Sequence, residues 1–184
     1  DLSQVNQPSL AIVGSRRCTS YGRKIARKLG ARLAELGITI VSGMARGIDS
    51  AAHRGALQTG ITYSILGSGL DIVYPPENND LMKEIIAQGA VMTPFPLGTR
   101  PEGSNFPVRN RIISGLSLGT IVIEATKKSG SLITANLALE QGREVFAIPV
   151  DITRSQSTGT NSLIQVRAKL VQNINDIIEE LPLI

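Results

Sequence analysis

Residues that anchor disulfides and metal sites are scarce in this sequence. Its 184 residues contain one cysteine, Cys18, and one histidine, His53. A lone cysteine excludes an intramolecular disulfide, and one cysteine with one histidine argues strongly against a structural zinc site. We therefore expect a fold stabilised by its apolar core, without a bound metal.

Long apolar runs are also missing. No stretch of about 20 apolar residues is present, and no basic segment followed by an apolar one opens the chain. Apolar residues still make up 42% of the sequence, which suits one domain of this length. These features predict a soluble, cytoplasmic protein with no membrane partner.

Positive charge is concentrated near the start of the chain. Residues 1–60 carry nine Lys or Arg against three acids, and the remainder carries ten against twelve. Five of the nine lie on one predicted helix, Tyr21 to Leu36: Arg23, Lys24, Arg27, Lys28 and Arg32. They form either a solvated helix face or a surface for phosphates.

Short apolar segments alternate with helical patterns along most of the chain. The predicted strands are 9–13, 38–41, 62–66, 120–125 and 144–149. Helices are predicted at 21–36, 49–59, 78–89 and 131–142. Strands that are apolar throughout and separated by helices indicate a parallel sheet covered on both faces. The fold class is therefore α/β, a doubly wound, mostly parallel and Rossmann-like sheet.

Residues 90–111 break this alternation. They contain four prolines and two glycines, which predicts a long loop of functional importance. Pro107 suits the first turn of a short helix from Arg109 to Gly115. Beyond Asp151 the chain becomes polar, and its last segments resemble short helices or a helix and a strand.

The loops that follow four predicted strands are rich in Gly, Ser and basic residues. In a doubly wound sheet these loops meet at one edge, where ligands bind. Glycine amides, serine hydroxyls and helix N-termini together favour phosphate. The loops are Gly14-Ser15-Arg16-Arg17, Ser42-Gly43-Met44-Ala45-Arg46-Gly47, Gly67-Ser68-Gly69 and Lys127-Lys128-Ser129-Gly130-Ser131.

Two common phosphate ligands do not fit this edge. The first loop lacks G-x-G-x-x-G spacing, and Ser42 stands where a dinucleotide site places an acid for the ribose. No G-K-[ST] sequence is present, which excludes a nucleotide-hydrolysing P-loop. We therefore expect no cofactor, and a polyanion or extended phosphate chain as the ligand.

Catalytic groups are few. Asp49 and His53 are one helical turn apart and could form a hydrogen-bonded pair near a helix start. Ser42 and Ser129 are possible nucleophiles, but no base is evident beside them. Glu124 or Glu140 could act as a general base, but no partner residue lies at a characteristic spacing from either. The sequence favours a binding protein over an enzyme.

The segment Asn105-Phe106-Pro107-Val108-Arg109-Asn110-Arg111 adds an aromatic ring to the basic edge. A ring beside guanidinium groups suits single-stranded nucleic acid, because bases stack and phosphates are neutralised. Phe106 could instead anchor the loop, and Arg109 and Arg111 could tie loop carbonyls or a carboxylate together.

Five motifs, spread over residues 10 to 170, resemble those of the DprA/Smf DNA-processing family. They are GSRRCTSYG, SGMARGIDSAAHRGAL, LGSGLDIVYPPEN, FPVRNRIISGLS and EATKKSGSLITANLALEQGREVFAIP. The resemblance implies a non-enzymatic Rossmann-like domain that binds single-stranded DNA without sequence preference. It also implies protection of incoming DNA in natural transformation, loading of the RecA recombinase and a homodimer.

The resemblance also implies site residues. Together with the basic residues of the strand-end loops, the expected DNA-binding set is Gly14, Ser15, Arg16, Arg17, Ser42, Gly43, Arg46, Gly47, Phe106, Arg109, Asn110, Arg111, Lys128, Ser129, Gly130 and Ser131. The dimer surface is expected around Leu163, Ile164 and Leu170. No catalytic residue is expected.

The sequence departs from the family pattern at Pro94, Val150 and Arg167, where Glu, Gly and Gly are usual. The last two lie near the expected dimer and recombinase surfaces. Relatives usually carry an N-terminal helical domain and often a C-terminal winged-helix domain. Neither is recognised in these residues, so we expect one domain with a core at about 9–150 and an extension at 151–184.

One enzymatic alternative stays open at this point. The segment SGSLITANLALEQG is similar to the nucleotide-binding segment of nucleotide phosphoribohydrolases of the lysine-decarboxylase-like fold. Those enzymes place a Gly-Gly-x-Gly-Thr run and a catalytic Glu there, whereas this chain has Ser129-Gly130-Ser131-Leu132.

Overall fold

A computed structural model describes residues 7–181 of the chain. Its seven strands form one parallel sheet in the order β4-β3-β2-β1-β5-β6-β7. The strands are β1 Ser9–Gly14, β2 Thr39–Ser42, β3 Thr62–Ile65, β4 Ala90–Met92, β5 Gly119–Ile123, β6 Glu144–Ala147 and β7 Lys169–Leu170. The predicted doubly wound α/β fold is confirmed.

Helices cover both faces of this sheet. They are α1 Ser20–Glu35, α2 Ile48–Ala56, α3 Asn79–Gln88, α4 Asn105–Leu116, α5 Gly130–Glu140, α6 Thr158–Gln165 and α7 Asn175–Ile178. Short 3-10 turns at Pro76–Asn78 and Ser155–Ser157 precede α3 and α6. None of the helices within residues 7–181 is both long and apolar enough to cross a bilayer.

Alternating side chains of β1 divide the core into two layers. Leu10 and Ile12 pack with residues of α1 and α2 on one face. Ala11 and Val13 pack with residues of α4 and α5 on the other. Because successive side chains of a strand point to opposite faces, β1 contributes to both layers and is apolar from Leu10 to Val13.

The strand order reverses between β1 and β5. From β1 the chain builds outward through β2, β3 and β4, and it then returns to pair β5 with β1 on the other side. Helices therefore leave the carboxyl ends of β1 and β5 on opposite faces, which opens a crevice there. The functional site is expected at this point.

The structure differs from the sequence prediction within residues 90–111. Ala90–Met92 form a fourth parallel strand, and α4 begins at Asn105, four residues before the predicted start. Pro107 lies in the first turn of α4, where its missing N–H leaves no intrahelical bond unmade. The irregular segment is therefore confined to residues 93–104.

The extension at 151–184 belongs to the same sheet over the residues that the structure describes. β7 pairs with β6, and Val171, Ile177 and Leu181 are buried against the α1 layer of the core. The sequence left open short helices or a helix and a strand here; the structure has two short helices, α6 and α7, with the strand β7 between them.

Candidate functional site

A cleft of about 410 Å³ opens at the carboxyl ends of β1 and β5. Its walls come from the β1–α1 loop, the first half of α4 and the N-terminus of α5. The lining residues are Val13, Gly14, Ser15, Arg16, Arg17, Ala45, Asp49, Phe106, Arg109, Asn110, Ile113, Thr126, Ser129, Gly130, Ser131, Thr134 and Gln156. We refer to this cavity as the cleft.

The β1–α1 loop is fixed to the end of β5. A Cβ on Gly14 would overlap the Ile123 carbonyl oxygen, so only glycine allows this approach. The Ser15 amide donates to the Glu124 carbonyl oxygen at 2.7 Å. The buried Glu124 carboxylate accepts from the Thr19 amide at 2.7 Å and also from the Thr19 hydroxyl. Glu124 is therefore engaged in holding the loop.

Arg16 and Arg17 extend from this loop at the mouth of the cleft. Both side chains are exposed, and neither forms an ion pair with any residue between 7 and 181. The Arg16 guanidinium carbon lies 4.9 Å from the centroid of the Phe106 ring. Two exposed cations thus lie at the mouth of the cleft, and one of them, Arg16, lies against an aromatic ring.

The N-terminus of α5 forms the opposite wall. Ser129 caps the helix, and its hydroxyl lies 2.7 Å from the Ser131 hydroxyl. The Asn110 side-chain amide donates to the Gly130 carbonyl at 3.5 Å, which links α4 to α5. A helix N-terminus carries partial positive charge and unpaired amides, so this wall attracts anions.

Arg109 lies beneath the cleft and is only 4% exposed. Its guanidinium donates to the carbonyl oxygens of Gly43, at 2.6 Å, and Ile65. Burial lowers the pKa of Arg109 to about 10, although the nearby Asp49 carboxylate opposes this shift. Arg109 therefore stays charged near neutral pH and joins α4 to the ends of β2 and β3.

Among residues 7–181, Asp49 is the one carboxylate that lines the cleft, and it is buried. Burial raises its pKa, whereas Arg109 and the amides of Ala45 and Gly43 oppose that rise. These two amides donate to Asp49 at 3.4 and 3.2 Å respectively. The cleft thus presents cations toward solvent and keeps its acid in internal hydrogen bonds.

A smaller pocket lies on the other side of Phe106. We call it the side pocket; its lining residues are Arg16, Gly43, Ala45, Arg46, Gly67, Ser68, Tyr74, Pro75, Pro101, Phe106 and Arg109. The Phe106 and Tyr74 rings lie 6.1 Å apart between centroids. Arg46 is exposed here and forms an ion pair with Glu77. Phe106 thus separates two cavities that share its ring.

The structure brings most of the predicted binding residues together. Ten of the sixteen line the cleft, and Gly43 and Arg46 line the side pocket. Four line neither cavity: Ser42, Gly47, Arg111 and Lys128. The structure gives the positions of these residues, and the binding roles of all sixteen stay predictions.

Ser42 and Gly47 have internal roles in the fold. Ser42 is fully buried, and its hydroxyl donates to the Ile12 carbonyl at 2.6 Å. Gly47 has a φ of 78° and packs so closely on the Ser15 carbonyl that a Cβ would overlap it. Arg111 and Lys128 are exposed beside the cleft. They can reach only a ligand that extends beyond it.

The suggested Asp49–His53 pair is not formed. His53 is fully buried, and its Nδ1 lies 2.7 Å from the Thr62 hydroxyl. Burial, with a contribution from Arg109, lowers the pKa of His53 to about 3. His53 is thus a neutral core residue. No group of three or more His, Cys, Asp or Glu within 7–181 is arranged to hold a metal ion.

Sequence reasoning missed several residues of the two cavities. Thr134 lies one turn after Gly130 in α5, so helical spacing could have placed it at the cleft. Gln156 comes from the C-terminal extension, and no motif connects it to the strand ends. Tyr74 follows no strand directly, and only the fold brings its ring to Phe106.

The residues expected at a dimer surface differ in exposure. Leu163 is buried in its own subunit against the α5 layer of the core, and Ile164 is half-buried beside it. Leu170 and Val166 are exposed. An apolar patch is therefore exposed around the end of α6 and β7, although Leu163 contributes little to it.

Comparisons with known proteins agree with this architecture. The family model for DNA recombination-mediator protein A matches residues 1–182. The Escherichia coli protein Smf is 46% identical over 183 residues, which cover 98% of this chain and 49% of Smf. The Streptococcus pneumoniae DNA processing protein DprA is 45% identical over 181 residues, covering 98% of this chain and 64% of that protein. The chain thus spans about half to two thirds of these relatives.

Two solved structures are also similar. The X-ray structure of DprA from S. pneumoniae has a TM-score of 0.93 at 43% identity, and the match covers all of this chain and 65% of that one. The structure of DprA from Helicobacter pylori, described for its single-stranded DNA binding mode, has a TM-score of 0.90 at 32% identity. That match covers 97% of this chain and 82% of that one.

Proposed function

This chain belongs to the DNA recombination-mediator protein A family, also known as DprA/Smf, and we propose that its cleft binds single-stranded DNA without sequence preference. The H. pylori relative is described as binding single-stranded DNA, which supports this ligand. The proposed site residues are the sixteen predicted above. The exposed residues of the cleft make the first contact, and the exposed Arg111 and Lys128 extend it. Ser42, Gly47 and Arg109 hold the loops of the site in place from within the fold.

The composition of the cleft wall is the observation that carries the proposal. Phe106 offers a flat ring with Arg16 beside it, and Arg17 adds a second exposed cation to the cleft. Base–aromatic stacking contributes about 1–3 kcal/mol per base and tolerates every base. Cations that contact phosphates add affinity without reading sequence. A single strand supplies accessible base faces and phosphates together, whereas a duplex hides its base faces.

The positions of the possible catalytic residues favour a binding role over catalysis. Ser129 lies beside Ser131, and the chain's one histidine is buried at Thr62. Asp49 accepts hydrogen bonds from backbone amides, and Glu124 holds the β1–α1 loop. The groups that a phosphoribohydrolase would use are therefore engaged in the fold or lack a partner. We propose that this protein is not an enzyme.

We further propose that the bound strand is protected from nucleases and passed to the RecA recombinase during natural transformation. The family's description as a recombination mediator supports this role. We also propose a homodimer through the patch formed by Val166 and Leu170 beside Ile164, because these apolar side chains are exposed or half-buried. The proposed unit is one domain, with its core at 9–150 and its extension at 151–184.

A salt titration of binding tests the central proposal. Fluorescent single-stranded oligonucleotides of mixed sequence, the matching duplex and the matching RNA would be compared by anisotropy. We expect the single strands to bind more tightly than the duplex. Affinity should fall by about 0.7 log units per log unit of salt for each phosphate contacted. Equal affinity for duplex and single strand would contradict the proposal.

One added assay separates the enzymatic alternative. The protein would be incubated with AMP, and released adenine would be measured by chromatography. Robust turnover would replace the binding proposal with a phosphoribohydrolase activity. We expect no release above a protein-free control.

A further inference from the structure

The outer surface of α1 carries positive charges at positions where they destabilise the helix. Arg23 and Lys24 lie in its first turns, and no acid occupies the first turn. Cations at a helix N-terminus are disfavoured by the helix dipole. Lys24 and Lys28 are four residues apart, where like charges repel. Internal packing gives no reason for this arrangement, because both lysines are exposed.

Acids on α1 do little to compensate this charge. Glu35 is the one acid of α1, and it is paired with Arg32 at the end of the helix. Lys24 and Lys28 form no ion pair with any residue between 7 and 181. The first two thirds of α1 are therefore an uncompensated basic surface.

An aromatic residue lies on the same side of α1 as the lysines. Tyr21 is three residues before Lys24 and seven before Lys28, so these side chains share one side of the helix. The Tyr21 side chain is 46% exposed. We call Tyr21, Lys24 and Lys28 the α1 stripe. A ring followed by two cations repeats the chemistry of Phe106 with Arg16 and Arg17.

The α1 stripe is connected to the cleft by the chain itself. Arg16 and Arg17 line the cleft, and Tyr21 is four residues after Arg17 on the first turn of α1. The hydrogen bonds between Thr19 and Glu124 fix the start of α1 relative to this wall. A helix of 16 residues is about 24 Å long, so the stripe leads well away from the cleft.

We propose that a single DNA strand leaving the cleft continues along the α1 stripe, with Lys24 and Lys28 on its phosphates and Tyr21 against a base. This inference rests on the proposed function, since it assigns the path of the strand beyond the cleft. Charge complementarity and the exposed ring identify the occupant as single-stranded nucleic acid. An anionic partner without bases would bind the lysines but would not stack on the Tyr21 ring.

The test compares two lengths of single-stranded oligonucleotide. One of about 4 nucleotides fills only the cleft, and one of about 20 nucleotides reaches beyond it. The double variant Lys24→Gln/Lys28→Gln removes two cations and keeps helix propensity. With the long oligonucleotide we expect its salt slope to fall by about 1.4, at about 0.7 per phosphate. With the short one we expect no change.

Two further variants sharpen the result. Lys83→Gln on α3 removes an exposed lysine elsewhere and should leave both affinities unchanged. Tyr21→Ala should weaken the long oligonucleotide by roughly 5- to 150-fold, and Tyr21→Phe should restore it, because stacking needs only the ring.

Each outcome assigns success or failure to one proposal. If wild-type protein fails to bind either length, the proposed function fails. If wild type binds both and the double variant loses nothing with the long strand, only the α1 path is overturned. Equal loss with both lengths also overturns the path, because the lysines would then act within the cleft or on folding. Selective loss of duplex binding would assign the stripe to duplex DNA and overturn it as well.

Discussion

The Arg109 guanidinium donates to the Gly43 carbonyl oxygen at 2.6 Å, across the boundary between α4 and the end of β2. A Cβ on Gly43 would overlap the guanidinium, so a larger residue at this position would displace the Arg109 side chain. Arg111, two residues later on the same helix, is exposed outside the cleft. The two arginines of one motif therefore have different physical roles, and this difference can be measured.

Replacing Arg109 should destabilise the protein far more than replacing Arg111. Arg109→Ala leaves the buried Gly43 and Ile65 carbonyls without their donor, at a cost of about 3 kcal/mol in the free energy of unfolding. Arg111→Ala should change it by less than about 0.5 kcal/mol, because its side chain is exposed. Urea denaturation of the two variants would test this. Similar losses would show that Arg109 is not a buried anchor.

Arg16 and Phe106 should affect DNA binding in distinguishable ways. Arg16→Ala should lower the salt slope by about 0.7, because one phosphate contact is lost. Phe106→Ala should weaken binding roughly 5- to 150-fold with little change in slope, because stacking involves no counterion release. The measurement is the anisotropy titration at several salt concentrations.

Phe106→Leu is the matched control for the ring. Phe106 packs on Gly67, so a smaller side chain could also loosen the local structure. Leucine keeps apolar bulk without a flat face. If Phe106→Leu binds as tightly as wild type, Phe106 serves as an anchor and not as a stacking platform.

Two glycines of the cleft should respond oppositely to alanine. Gly14→Ala forces β1 away from the Ile123 carbonyl and should cost about 1–3 kcal/mol in the free energy of unfolding. Gly130 has open space around the same hypothetical Cβ and begins α5. Gly130→Ala should therefore be neutral or stabilise by up to about 1 kcal/mol. Thermal unfolding followed by circular dichroism would compare them, and equal destabilisation would argue against close packing at Gly14.

His53 should make the stability of the protein depend on pH. Its pKa is lowered to about 3 in the folded state by burial, from 6.5 when exposed. The unfolded chain therefore binds a proton first as pH falls, and folding is weakened below about pH 6.5. The expected loss between pH 7 and pH 5 is about 2 kcal/mol.

His53→Gln isolates this contribution, because glutamine does not titrate. Its free energy of unfolding should fall by about 2 kcal/mol less than that of wild type over the same pH range. Asp49 shifts in the opposite direction, but it is present in both proteins, so the difference between them reports His53. Parallel pH profiles would mean that His53 is accessible to protonation in the folded state.

The sequence predicted the central strands of the sheet, because they are mostly apolar and alternate with helical patterns. It missed β4, since three residues between Gly89 and a proline-rich segment give no periodic signal. It also placed the start of α4 four residues too late. Pro107 was expected in the first turn, but Asn105 and Phe106 before it were assigned to the preceding loop.

The candidate site was predictable as a set of loops and much less so as individual side chains. Strand-end positions identified Gly14, Arg16 and Ser129 because topology alone brings such loops together. Whether Arg109 or Arg111 faces inward depends on the rotation of α4 against β2 and β3, which no local pattern specifies. Gln156 reaches the cleft from the last quarter of the chain, so only the folded structure could reveal it.

The hydrogen bonds that join Ser15 and Thr19 to Glu124 have a thermodynamic consequence for binding. The cation-bearing loop is held in place in the free protein, so its conformational entropy is lost during folding and not when DNA arrives. The amides of Ser15 and Thr19 should accordingly exchange slowly with solvent deuterium even without DNA. The entropic cost of binding then falls on the strand and on the exposed arginine side chains, and not on the backbone of the loop.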